Sequence, residues 1–280
     1  MLTRTFLHSA GVGKIVENKL WLSGFQDWSA FLAREQADTP KVNSIRNTLL
    51  QSVIALKSHD HRFFSNALPV SEHWRLFKTF KDNTAYVDIE TTGLSPEHSE
   101  ITTIALYDGR TIKHYVNGQN LKAFVKDIKL YDLLVTYNGK CFDVPMIQHY
   151  FGIELPHSHI DLRSVLASLG YKGGLKACEK SLGIARSELE GVDGYMAVNL
   201  WDEYQDGKKS ALDTLLAYNI EDVINLEYLM HTAYNLKVRG FGFNDEVLQV
   251  PARPKVPFKV DLKLIAKLKA EFGPSIYFTK

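Results

Sequence analysis

In Tyr86-Val-Asp88-Ile-Glu90, two carboxylates stand two residues apart inside an apolar run. Side chains alternate along an extended strand, so Asp88 and Glu90 share one face while Val87 and Ile89 take the other. Two carboxylates on a strand of buried type repel each other and lose hydration, a cost that a divalent cation with oxygen ligands removes. A second stretch, Thr136-Tyr-Asn138-Gly-Lys140-Cys-Phe142-Asp143-Val-Pro145, puts Asp143 where a strand turns into a helix. There Asp143 either caps the helix, with Pro145 tolerated in the first turn, or faces the same sheet end as Asp88. In Tyr218-Asn-Ile-Glu221-Asp222 the spacing of four sets Tyr218 and Asp222 on one helix face, where a phenol can orient water beside a carboxylate. Asp88, Glu90, Asp143 and Asp222 are therefore the candidate metal ligands. Oxygen-only ligands favour Mg²⁺ or Mn²⁺ over zinc.

Several elements must position these groups. Strand-like runs are expected at Ala85 to Glu90, Ile101 to Tyr107 and Thr111 to Val116, with Asp108-Gly109-Arg110 as a tight turn in an antiparallel meander. Leu121 to Ile128 reads as a helix, Leu133 to Tyr137 as an apolar fourth strand, Val144 to Tyr150 as the start of a helix, and Ser158 to Leu162 as a fifth strand. Helical spacing recurs at Leu175 to Leu182 and from Ser210 to Asn235, where Leu212, Leu215, Leu216, Val223, Leu226 and Leu229 offer a buried face. Upstream, Val42 to Ser58 and Glu72 to Phe80 read as helical. Downstream, the stretch from Arg239 to Pro257, with three prolines, reads as a wrapping or extended segment before a basic helix at Leu262 to Phe272. The expected organisation is a helical N-terminal region (1–84), an α/β domain (85–234) and a basic C-terminal tail (235–280).

In that order the three carboxylate motifs resemble those of DEDD 3′→5′ exonucleases. The wording Tyr-Asn-x3-Phe-Asp-x-Pro is similar to the second motif of family B DNA polymerase proofreading domains. The stretch from Ala85 to Met230 resembles the YprB-like group of RNase H-like proteins. Tyr218 preceded by Ala217 matches the DEDDy branch. The resemblance implies an RNase H-like mixed sheet, with three antiparallel strands followed by parallel ones, flanked by helices. It also implies two divalent ions: Asp88, Glu90 and Asp222 would bind one, while Asp88 and, through water, Asp143 would reach the other. Tyr218 would assist the attacking water, and the product would be a nucleoside 5′-monophosphate. Leu94 falls where proofreading enzymes place an apolar wedge at the terminal base. Asn138 and Phe142 would line the substrate strand.

Other signals bear on the substrate. Lys172-Gly-Gly-Leu-Lys176 leads into a helix and offers backbone amides and Lys176 to phosphates. His8-Ser-Ala-Gly11-Val-Gly13-Lys14 with Gly24-Phe25 resembles half of a helix-hairpin-helix element, whose Gly11 and Gly13 amides would hold a DNA phosphate and favour DNA over RNA. His159 and Asp161 are expected to order a local loop rather than to bind metal. Net charge is +1, but unevenly spread: residues 1–84 carry 11 Lys/Arg against 7 Asp/Glu, 85–235 carry 13 against 21, and 236–280 carry 9 against 4. An acidic cation-holding centre between basic flanks suits a nucleic-acid partner, here single-stranded 3′ ends. Two cysteines, Cys141 and Cys178, lack metal-ligand spacing and fit a reducing cytoplasm; no apolar run points to a membrane or to export. Two alternatives remain open: a weakly catalytic nucleic-acid-binding module of a repair complex, and a structure-selective endonuclease.

Overall fold

The computed structural model describes residues 1–35, 39–184, 186, 189 and 191–272. The N-terminal region holds α1 (Lys14–Leu22), α2 (Trp28–Ala33), α3 (Pro40–Lys57) and α4 (His61–Ala67). Asp27, Thr39 and Asp60 accept the backbone N–H of Ala30, Val42 and Phe63, so α2, α3 and α4 each start on a capping side chain. The helix expected over 72–80 is largely a 3₁₀ segment, Val70–Leu76, running into the short α5 (Phe77–Phe80).

The expected sheet forms. β1 (Thr84–Thr91), β2 (Ile101–Tyr107) and β3 (Ile112–Val116) make the antiparallel meander. A helical passage follows, in which α6 (Phe124–Asp127) lies between two 3₁₀ turns where one continuous helix was expected. Then come β4 (Leu133–Thr136), α7 (Asp143–Phe151), β5 (Ser158–Asp161), α8 (Leu162–Ala167), α9 (Leu175–Ser181), α10 (Gly194–Gln205), α11 (Lys209–Gly240) and α12 (Leu262–Phe272). The strand order is β3-β2-β1-β4-β5, with β4 parallel to both β1 and β5. The fold is thus mixed α/β, its central strand parallel to one neighbour and antiparallel to the other. The helix α10 escaped the sequence reading; Asp193 caps it through Met196 N–H, and Met196, Ala197, Leu200 and Trp201 bury one face.

Alternation along β1 divides the core. Ala85, Val87 and Ile89 join Phe124, Met146 and Ile147 under α6 and α7, while Tyr86 faces the side covered by α11. The N-terminal segment shares that second cluster, so it packs on the α/β domain without forming a core of its own. Arg75, fully buried, binds it in place: Nη2 lies 3.0 Å from Glu17 Oε2 on α1, Nε lies 2.8 Å from Glu72 Oε2, and the guanidinium sits over the Trp74 ring. Downstream, Asn235 exchanges two hydrogen bonds with the backbone of Leu248, and α12 buries Leu264, Ile265 and Leu268. Residues 273–280 of the expected basic tail lie outside the described residues. No helix among the described residues is long and apolar enough to cross a membrane.

Candidate active site

Asp88 and Glu90 lie on the β1 face covered by α11, and Asp222 comes down from that helix. Each of the three offers a carboxylate oxygen within 4.8 Å of the others, and all three are buried. A register shift after Glu90 interrupts the pairing of β1 with β2 at this point; such irregularities re-aim side chains at strand ends. Packing of α11 across β1 is what closes the cluster, because the carboxylates come from segments more than 130 residues apart. Oxygen-only, anionic and dehydrated, the donor set fits a hard divalent cation.

Asp143 behaves differently from a helix cap. Phe142 occupies the cap position and Asp143 is the first residue of α7; its Oδ1 accepts the Ile89 N–H at 3.2 Å. The Asp143 carboxylate is therefore fixed on the β1 backbone between Asp88 and Glu90, outside the three-carboxylate cluster. The turn leading to it is organised by Asp161, which accepts the N–H groups of Asn138 (2.8 Å), Lys140 (3.2 Å) and Arg163 (3.0 Å). Asn138 has a left-handed backbone (φ 63°), and its side-chain oxygen accepts from Arg163 Nη1 at 2.7 Å. His159 Nε2 meets Thr136 Oγ1 at 2.8 Å, and burial pushes its pKa down to about 3, so it is a neutral structural group. Asp161 thus orders the loop, and His159 braces Thr136 beside it.

Tyr218 is buried on α11 one turn before Asp222. Lys176, half-buried on α9, lies over its ring with Nζ 4.6 Å from the centroid; burial lowers the ammonium pKa against the pull of Asp222 and Glu90. Phe142 is half-buried beside Asp143, and Leu94 stands 60% exposed in the loop after β1. Gly11 and Gly13 are exposed at the start of α1, and among the described residues a 3₁₀ turn, Leu2–Arg4, stands before them in place of the first helix of a hairpin element. Lys14 pairs with Glu72 and Trp21 packs on Phe241, which seats α1 beside the C-terminal end of α11, about five turns from Asp222. Those glycines are not brought to the acidic cluster.

Four buried residues at the site escaped the sequence reading. Asn219 Nδ2 donates to Asp88 Oδ2 (2.8 Å) and to Asp88 O (3.2 Å), and its Oδ1 accepts from Thr103 Oγ1 (3.1 Å). Arg186 reaches Asp222 Oδ1 with Nη2 at 2.5 Å and pairs through Nε and Nη2 with the Glu179 carboxylate. Asn225 Nδ2 donates to Glu179 Oε1 at 2.8 Å. Burial works against the guanidinium charge of Arg186, but Asp222 and Glu179 outweigh it and raise its pKa. Asn219 and Asn225 sit three residues on either side of Asp222, a spacing that places all three on one helix face and was readable in the sequence. Arg186 comes from an aperiodic segment after α9 and left no such signal.

Residues 85–234 match the family model described as the RNase H superfamily. A comparison with curated proteins gives no match. Similar solved structures include the family B DNA polymerase from the hyperthermophilic archaeon Pyrobaculum calidifontis, at 15% identity and TM-score 0.43, covering 56% of this chain and 24% of that one. Brucella melitensis NrnC bound to pGG gives 19% identity and TM-score 0.41 over 61% of this chain and 80% of that one. NrnC without that qualification gives 18%, 0.39, and 61% and 81%. The chain thus spans about a quarter of the polymerase's length.

Proposed function

Because the chain belongs to the RNase H superfamily and closes Asp88, Glu90 and Asp222 into one buried cluster, we propose that it is a divalent-metal-dependent 3′→5′ exonuclease of the DEDDy type. The observation that carries this reading is the convergence of those three ligand oxygens within 4.8 Å, with Asp143 fixed beside them on the Ile89 N–H. Asp88, Glu90 and Asp222 would hold one Mg²⁺ or Mn²⁺, and Asp143 with Asp88 a second. When bound, such ions supply the charge that activates water and steadies the leaving 3′ oxygen.

The chain's own residues have separate tasks. Asn219 holds Asp88 from two sides and keeps its carboxylate facing the cluster. Tyr218 presents its phenol from the same helix turn as Asp222 and would orient the attacking water. Lys176, above the Tyr218 ring, would receive the scissile phosphate. Asn138, Phe142 and the exposed Leu94 would guide the terminal nucleotides of a single strand. The hairpin-like element that favoured DNA has a 3₁₀ turn where its first helix is expected among the described residues and is seated away from the cluster, so the substrate proposed is a single-stranded 3′ end, DNA or RNA.

Digestion of 5′-labelled single-stranded DNA and RNA with Mg²⁺ or Mn²⁺, comparing the wild type with Asp222→Ala, tests it. A metal-dependent ladder shortening from the 3′ end, lost in the variant, is expected. Cleavage of a circular single strand would assign an endonuclease instead, and binding without degradation under either metal would assign a non-catalytic module.

A further inference from the structure

Arg186 is the feature of the site that the three-motif reading does not use. Its guanidinium is buried and lies between two carboxylates, Glu179 on α9 and Asp222 on α11. The 2.5 Å approach to Asp222 Oδ1 is an ion pair without directed hydrogen-bond geometry, and Nη1 has no hydrogen-bond partner among the described residues. Glu179 is in turn held by Asn225, one helix turn beyond Asp222. The arrangement is therefore a fixed chain, Asn225 to Glu179 to Arg186 to Asp222. It delivers one positive charge to an oxygen of a residue that also faces Asp88 and Glu90.

We propose that Arg186 is a tethered counter-cation that competes with the divalent ion for Asp222. Resting on the reading that Asp88, Glu90 and Asp222 bind metal, the proposal assigns Arg186 two effects of opposite sign. Without metal it neutralises part of a cluster whose mutual repulsion would otherwise open the packing of α11 on β1. When metal arrives, the same charge opposes it, so Arg186 sets how much free metal the site requires. Glu179 determines where the guanidinium rests, since it shares the charge with Asp222 and gives Arg186 a place to remain when Asp222 turns to the ion.

The test is Mn²⁺ binding by the purified full chain, read as loss of the free-ion paramagnetic resonance signal, together with the thermal midpoint with and without Mn²⁺. Arg186→Met removes the competing charge. It should bind Mn²⁺ roughly tenfold tighter or more, have a lower midpoint without metal, and show a larger metal-induced rise than the wild type. Because that variant strands Glu179 in the interior, Arg186→Met/Glu179→Gln is the companion: it deletes one charge of each sign and leaves the local net charge unchanged. Tighter Mn²⁺ binding by the double variant supports direct competition for Asp222. Affinity equal to or weaker than wild type in the double variant overturns the proposal, since Arg186 would then act only through general charge or packing. Failure of the wild type itself to bind Mn²⁺ overturns the metal reading underneath, and is distinguished by appearing before any substitution is made.

Discussion

Asn219 donates its side-chain N–H to Oδ2 of Asp88 at 2.8 Å and to the Asp88 carbonyl at 3.2 Å, so one amide grips both the carboxylate and the backbone of the same residue. Its remaining oxygen takes the Thr103 hydroxyl, which leaves the amide no freedom to turn. Residues that hold a metal ligand in this way typically change metal affinity or activity by about 10- to 100-fold when removed. Asn219→Ala is expected to weaken Mn²⁺ binding and slow hydrolysis within that range while the protein still folds. Titration with Mn²⁺ and a rate measurement at saturating metal check it; unchanged values for both would refute the assignment.

Glu227, on α11 beyond the site, is buried near Tyr107 and Asp108. Burial, reinforced by Asp108, raises its pKa from 4.5 to about 7. The folded state thus holds this proton more tightly than the unfolded chain does. The stability it contributes is present in full below about pH 4.5 and is lost as pH rises through about 7. Between pH 5 and 8 the wild type should lose on the order of 2 kcal/mol through this group. Glu227→Gln, neutral at every pH, should flatten that slope. Urea unfolding at several pH values reads the difference, and parallel slopes for the two proteins would show that Glu227 is not the group responsible.

Arg75 neutralises two buried carboxylates at once, Glu17 and Glu72. Removing one partner of a buried pair costs about 3–5 kcal/mol because a charge is left uncompensated. Arg75→Met should therefore destabilise the protein by that order, and adding Glu17→Gln and Glu72→Gln should restore much of the loss. Equilibrium denaturation of the single and triple variants measures both; a triple variant no better than the single one would place the effect in packing against Trp21 and Trp74 instead.

How much of this was legible varies with the kind of signal. Strand alternation in Val87-Asp88-Ile89-Glu90 divides β1 into an apolar and an acidic face, and the bounds expected for Ile101–Tyr107 match to the residue, because the Asp108-Gly109-Arg110 turn marks where that strand ends. The bounds expected for the basic helix Leu262–Phe272 match as well. Harder to read were segments stabilised from outside themselves. The 3₁₀ stretch Val70–Leu76 takes its shape from burying Trp74 and Arg75 against other parts of the chain, so its own periodicity misled. At the site, the acidic residues were readable because carboxylates on a buried strand demand an explanation. Their partners were less so: the spacing of Asn219 and Asn225 about Asp222 stands in the sequence, but what Asn219 holds is evident only once Asp88 is seen opposite, and Arg186 reaches Asp222 from a segment without periodicity. Asp143 was placed correctly at a strand-to-helix turn, but its bond runs to Ile89 across the sheet rather than to its own helix.

The length of α11 has a consequence for how the site comes apart. Asp222 stands thirteen residues from the first residue of the helix and eighteen from the last, so fraying at either end stops well short of it. Beyond Asp222 the same helix buries Tyr234 and Val238 within the cluster that contains Trp74 and Phe77 of the N-terminal region. Displacing Asp222 from Asp88 and Glu90 therefore cannot be a local event, because it means lifting a continuous rod that the far side of the molecule holds down. The carboxylate cluster inherits the cooperativity of the whole fold, and damage to the packing of the first eighty residues is transmitted to it as surely as damage to the site itself.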